Sequence, residues 1–156
     1  MAKWIEPIFD RTRSDVDYAL AKIEEWRKNG STNVYELKGC FNVTDINRIA
    51  GNIQYLAETL KPLYYFPNCK TNRINWGGGD FPHEGSINLI IGDVRELCSV
   101  FFQTSTAPAL PDTILTYEQV NSLEENLYLI KQILDDMVEY ANTYRQCGTF
   151  VCGGGV

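Results

Sequence analysis

The sequence predicts a mainly α-helical protein, a bundle of about four helices. It also predicts a long C-terminal heptad helix and an irregular middle rich in glycine, proline and aromatics. Three observations lead there. Four stretches repeat apolar residues at spacings of three and four. Most of them begin or end on a helix-boundary signal. A chain of 156 residues, 44% apolar and 22% charged, has the composition of an ordinary globular protein. At that length a single helical domain over residues 1–156 is the simplest organisation.

The first helix is expected over about 14–28. Thr12, with Asp15 three residues on, looks like a capping box, and Gly30 stops the run. Val16, Leu20, Ile23 and Trp26 form its apolar stripe. The second helix is expected over about 44–60. Thr44 is its N-cap candidate, Asp45 suits the positive end of the helix dipole, and Pro62 ends it. Its apolar positions are Ile46, Ile49, Ala50, Ile53, Leu56, Ala57 and Leu60. Residues 62–85 then form an irregular loop, because turn formers and aromatics crowd that stretch. Tyr64, Tyr65, Trp76 and Phe81 make it a candidate recognition loop, since recognition often sits on aromatic loops. The alternative is that these rings simply cover helix ends.

A third helix is expected over about 86–103, lined by Ile87, Ile90, Ile91, Val94, Leu97, Cys98 and Phe101. After the linker "TSTAPALPD" comes the longest element, about 116–145, opened by Thr116 and Gln119 as a capping box. Val120, Leu123, Leu127, Ile130, Leu134 and Met137, continued by Ala141 and Tyr144, alternate threes and fours. That is a heptad pattern, which serves equally a bundle's own spine or a seam between identical copies. A helix of roughly 28 residues spans ~42 Å, so its far end is expected to outrun its neighbours. A short Cys/Gly tail, 146–156, follows.

Function classes narrow by exclusion. The net charge is −6, the pI about 4.8, and no Lys/Arg cluster exists, which argues against nucleic acid. The start "MAKWIEPIFD" lacks the apolar run of a secretory signal. No stretch reaches the ~20 apolar residues of a membrane span; "INLIIGDV" is cut by Gly92 and Asp93. Synthesis in a cytoplasm is therefore expected. Five cysteines, Cys40, Cys69, Cys98, Cys147 and Cys152, cannot all pair internally. Cys40 and Cys98 read as small core hydrophobes. "CGTFVCGGG" reads as a tail or hairpin whose thiols could oxidise. With His83 the only histidine, a zinc site is not expected, and most His-based triads are ruled out unless His83 is the base. "GGGD" lacks the ending of a phosphate loop. No enzyme activity, cofactor or metal is expected.

The order of the motifs adds a resemblance. "FDRTRSDVDYA", "LKGCFNVTDINRI", a downstream Trp and "ALPDTILTYEQVNSLEENL" resemble a helical module of tail-associated virion proteins. Those proteins belong to phages and prophages of Gram-positive, often gut, bacteria. The matching positions are Asp10, Arg11, Thr12, Asp15 and Val16. They continue with Leu37, Lys38, Gly39, Asn42, Asp45, Asn47 and Arg48, then Leu115, Thr116, Tyr117, Asn121 and Glu124. The resemblance implies a virion structural protein, in a tail, baseplate or fibre attachment. Its implied partners are copies of itself and other virion proteins. A host-surface receptor-binding module using the aromatic loop is the alternative. From the residues themselves, Arg11 and Arg48 are forked donors in an acidic chain. With Asp10, Asp15, Asp45, Asn47, Asn121 and Glu124 they are expected to form a structural polar lock between the first, second and fourth helices.

Overall fold

A computed structural model describes residues 2–30, 37–77, 80, 82–101, 106–114 and 116–147, with side chains described as far as 141. Phe81, Leu115, Cys152 and the side chains of Tyr144 and Cys147 lie outside the described residues. The protein is mainly helical, with four α-helices among the described residues: α1 Arg13–Asn29, α2 Val43–Leu60, α3 Glu84–Val100 and α4 Tyr117–Cys147. A 3-10 turn, Lys61–Leu63, extends α2. Among the described residues no helix is long and apolar enough to cross a membrane.

Local chemistry sets the helix ends. Thr12 caps α1 in a full capping box with Asp15. Gly30 closes it in the left-handed conformation, φ 68°, and donates its N–H to the Trp26 carbonyl. α2 begins earlier than its Thr44 suggests. The Asn42 side chain accepts from the N–H groups of Thr44 (2.9 Å) and Asp45 (3.2 Å), and Asp45 answers by accepting the Asn42 N–H at 3.0 Å. Asn42 thus satisfies two orphan donors, leaving Thr44 inside the first turn. α3 likewise starts at Glu84 rather than Ser86, and ends when Phe101 turns to extended backbone, φ −114°. Thr116 and Gln119 cap α4 as expected.

α2, α3 and α4 build the core. Ile49, Ile53, Leu56 and Leu60 of α2 meet Ile90, Val94 and Leu97 of α3 and Val120, Leu123, Leu127 and Leu134 of α4. Phe101 plugs one end, with Tyr65 edge-on at 5.2 Å. α1 takes little part in this burial: Ala19 is its one buried residue. Leu20 and Trp26, half of the predicted stripe, stay exposed. What holds α1 is its first turn. Gly39 lies so close that a Cβ there would sit 2.0 Å from the Asp15 carbonyl oxygen, and Lys38 pairs with Asp10 at 2.9 Å.

Two irregular segments run along the helices. Residues 2–12 form a strap over α2 and α4. The Ala2 N–H donates to Glu58 (3.1 Å), and Ile5 exchanges two bonds with the Asn52 amide (2.9 and 2.7 Å). Three extended residues cover ~10 Å and six helical residues ~9 Å, so the strap keeps pace as it descends α2 in the opposite direction. Residues 64–77 run likewise along α3 and then α2. Asp93 accepts the N–H groups of Lys70 (2.9 Å) and Thr71 (2.5 Å), while Asn47 pairs both ways with the backbone of Trp76. The composition of this loop predicts irregular backbone. Helix side chains give it the backbone partners that a strand or helix would have supplied.

Two outcomes follow for stability. Gly39→Ala is expected to cost about 1–3 kcal/mol in urea denaturation, because the intruding methyl meets backbone that cannot move without shifting α1. An unchanged midpoint would show that the contact yields freely. The thiols give a pH dependence. Burial pushes Cys98 up to about 11, and burial with Asp93 and Glu96 pushes Cys69 up to about 12, from an ordinary value of 9.0. The folded state therefore holds these protons more tightly than the unfolded chain. Their contribution is complete below pH 9 and is lost as pH climbs from about 9 towards 12. Denaturation midpoints between pH 7 and 11 should fall less steeply in Cys98→Ala and Cys69→Ala than in the wild type.

Candidate functional site

Four charged side chains meet in the interior: Arg11 from the strap, Asp45 and Arg48 from α2, and Glu124 from α4. All four are buried. Arg11 Nη2 donates to Asp45 Oδ1 (2.7 Å) and Glu124 Oε1 (3.0 Å). Arg48 Nη2 donates to the same two oxygens at 2.5 and 2.7 Å, and its Nε reaches Glu124 Oε2 at 2.8 Å. Glu124 Oε2 also accepts the Ile8 N–H at 2.8 Å. Asp45 Oδ2 is occupied by the Asn42 N–H. Arg11 Nη1 donates to the Ile8 carbonyl.

Two guanidinium cations and two carboxylates make a neutral group. Neutrality is what permits it in the interior, where an uncompensated charge would be very costly. Burial alone would lower the Arg48 pKa; the bonds to Glu124 and Asp45 outweigh it, and the net direction is upward. Every carboxylate oxygen already accepts a hydrogen bond, so the cluster offers no free base to a substrate. It fastens three segments at one point.

The predicted polar residues divide accordingly. Asn121 joins the cluster's edge: its amide donates to the Arg11 carbonyl at 2.9 Å, and its oxygen accepts from the Arg11 backbone and side chain. Asn47 lies on the other side of α2 and holds the aromatic loop instead. Asp10 and Asp15 stay outside. Asp10 is exposed and pairs with Lys38, whose hydrogen bond holds its carboxyl below the usual range. Asp15 serves as the capping partner of Thr12, and that bond lowers its pKa. The lock thus joins the strap, α2 and α4, while α1 attaches at the surface.

The seam expected between copies needs correction. Val120, Leu123, Leu127, Ile130 and Leu134 all face the chain's own core, each at most 3% exposed. α2 and α3 pack against them in one core, so these five are not left for a neighbour. Only past Leu134 does the stripe reach solvent, at Met137, 40% exposed, and at Ala141; Val138, beside the stripe, is 48% exposed.

The aromatic loop also sorts unevenly. Tyr64 is 86% exposed and adopts the left-handed conformation, φ 65°, uncommon for a residue with a Cβ. Tyr65 is half-buried against Phe101. Trp76 is half-buried, with the Arg73 guanidinium 4.0 Å above its ring centre. Phe66, not singled out from the sequence, is more exposed than either.

Three buried polar residues escaped sequence reasoning: Asn52, Asp93 and Asn126. Each occupies a core-facing position of its helix and bonds a distant backbone; Asn126 donates to the Pro108 carbonyl at 3.0 Å. The available signal was a lone polar residue on an apolar stripe, as Asp93 is between Ile90 and Leu97. Among the described residues no group of three or more His, Cys, Asp and Glu gathers in a way that could hold a metal ion. No protein-family model, curated protein or solved structure matches this chain.

Arg48→Ala is expected to destabilise the fold by about 3–5 kcal/mol, since it strands Glu124 and Asp45 in the interior with one cation between them. Chemical denaturation measures this directly. A loss below about 1 kcal/mol, the size of a surface pair, would contradict the burial of the cluster.

Proposed function

We propose that this chain is a structural component of a phage virion, in a tail, baseplate or fibre attachment, and that identical copies associate through the C-terminal part of α4. The observation carrying this reading is that α4 outruns its own core. Its seam is covered from Val120 to Leu134, and the same period continues through Met137 and Ala141 into exposed positions. The stretch from Asp135 to Cys147 adds ~20 Å of helix. An apolar stripe in water favours association, and a heptad stripe favours another helix of the same kind. Closed symmetric assembly of identical copies is the usual result.

The virion setting rests on the resemblance carried by "DRTRSDVDYA", "LKGCFNVTDINRI" and "LTYEQVNSLEENL". The saturated cluster supports an architectural role, because its charged groups are spent on holding segments together. Partners on this reading are copies of the chain and other virion proteins, and the acidic charge supports no nucleic-acid role. A second reading, recognition of a host surface through the aromatic loop, is favoured by Tyr64 and Phe66. Both hold large rings in solvent with no role in the core.

The two ends of the α4 seam separate assembly from folding. Met137→Glu is expected to reduce the oligomer to monomers while the melting temperature changes little. Leu134→Glu is expected to lower the melting temperature sharply, since it drives a carboxylate into the chain's own core. Light scattering and thermal melts of both variants make the comparison. A wild-type chain that stays monomeric at every concentration reached would count against association through α4. Antibody-labelled electron microscopy of particles tests the virion assignment itself.

A further inference from the structure

We infer that the hollow between the aromatic loop and the first turns of α3 is a binding site for a neutral saccharide. This inference deepens the surface-recognition reading and is independent of assembly through α4. The hollow has a volume of about 510 Å³, within the ~300–1,000 Å³ range usual for small-molecule sites. Thr71, Asn72, Arg73, Asp80, His83 and Ser86 give it a polar wall, and Leu89 and Ile90 an apolar floor.

The chemistry of that wall selects the ligand class. Donors and acceptors alternate: the guanidinium donates, the carboxylate accepts, and the amide, imidazole and hydroxyls do both. Vicinal hydroxyls, each donor and acceptor at once, match such a wall, while the C–H face of a sugar ring suits Leu89 and Ile90. Inorganic phosphate fits poorly. Asp80 already neutralises Arg73 through a direct ion pair, and a second anion would face that carboxylate. A purely aliphatic ligand fits poorly too, because it would strip water from six polar side chains without replacing their bonds.

The geometry is prepared in advance. Arg73 lies over Trp76, whose backbone Asn47 clamps on both sides. Asp80 accepts the Gly77 N–H at 2.7 Å, which fixes the carboxylate's position. Thr71 is held by its N–H to Asp93. Its hydroxyl is buried with no hydrogen-bond partner among the described residues. Buried hydroxyls are normally bonded, and one left alone carries a desolvation cost. Thr71 lines the hollow, so rotation of its side chain towards a ligand hydroxyl there would supply the missing bond.

The isotope-labelled full chain can be titrated with a panel of neutral mono- and disaccharides, and separately with inorganic phosphate, with amide chemical shifts as the readout. At least one saccharide is expected to shift Thr71, Asn72, His83 and Ser86 together in a saturable way. Thr71→Val should keep the wild-type melting temperature, because none of the described residues bonds that hydroxyl, yet weaken binding at least about tenfold, ~1.4 kcal/mol. Asn72→Ala should weaken binding similarly. No saturable shift with any saccharide, or a response to phosphate alone, would overturn the assignment. Adsorption of the chain to host wall material that survives both substitutions would also overturn it, while leaving surface recognition to Tyr64 and Phe66.

Discussion

The neutral quartet of Arg11, Asp45, Arg48 and Glu124 is the constraint on which the arrangement of this chain depends. Its members come from a strap, a helix in the first half and a helix in the last third. Nη2 of each guanidinium reaches both carboxylates, so removal of any one member leaves the others unbalanced in a medium that cannot solvate them. The quartet thereby sets the depth of the strap, through Ile8 and Arg11, and the register of α4 against α2. A purely apolar contact would tolerate sliding by a turn; a shared set of short, directional bonds does not.

The same device recurs in weaker form elsewhere. Asn52, Asn47, Asp93, Asn121 and Asn126 each turn a helix side chain towards the backbone of a segment that has no regular structure. Buried backbone groups must be bonded. In a helical protein whose strap, aromatic loop and linker lie on the core, helix side chains are the nearby source of partners. The described strap, aromatic loop and linker are therefore held about as specifically as the helices. α1, whose described attachments are its first turn and the buried Ala19, is held least.

That distribution bears on function. Firm attachment of the loop gives a fixed shape around Trp76 and Arg73, as a recognition surface requires, since a preorganised site spends less of its binding free energy on ordering. Loose attachment of α1, with Leu20 and Trp26 in solvent, and exposed Met137 and Val138 on α4 leave apolar surface on which neighbouring copies or other proteins can seat. Holding and recognising fall on different faces, so one chain can serve both without conflict.

Much of the fold was legible because helix periodicity, capping boxes and stop signals act between residues at most four apart. Thr12 with Asp15, Thr116 with Gln119, and Gly30 carry their partners beside them. Arg11, Arg48 and Glu124 could be named as a lock because long charged residues amid apolar repeats need compensation somewhere. Which carboxylates compensate them was decided by the fold, and the surface pair Asp10 and Asp15 looked no different in sequence from Asp45. The heptad of α4 shows the same limit. One period of three and four describes a helix buried in its own bundle and a helix buried against a copy. Only the lengths and positions of α2 and α3, which cover Val120 to Leu134 and stop there, decided where the first ends and solvent begins. Local order follows from neighbours along the chain. Coverage and charge pairing follow from segments tens of residues away, whose approach is set by the packing of the whole.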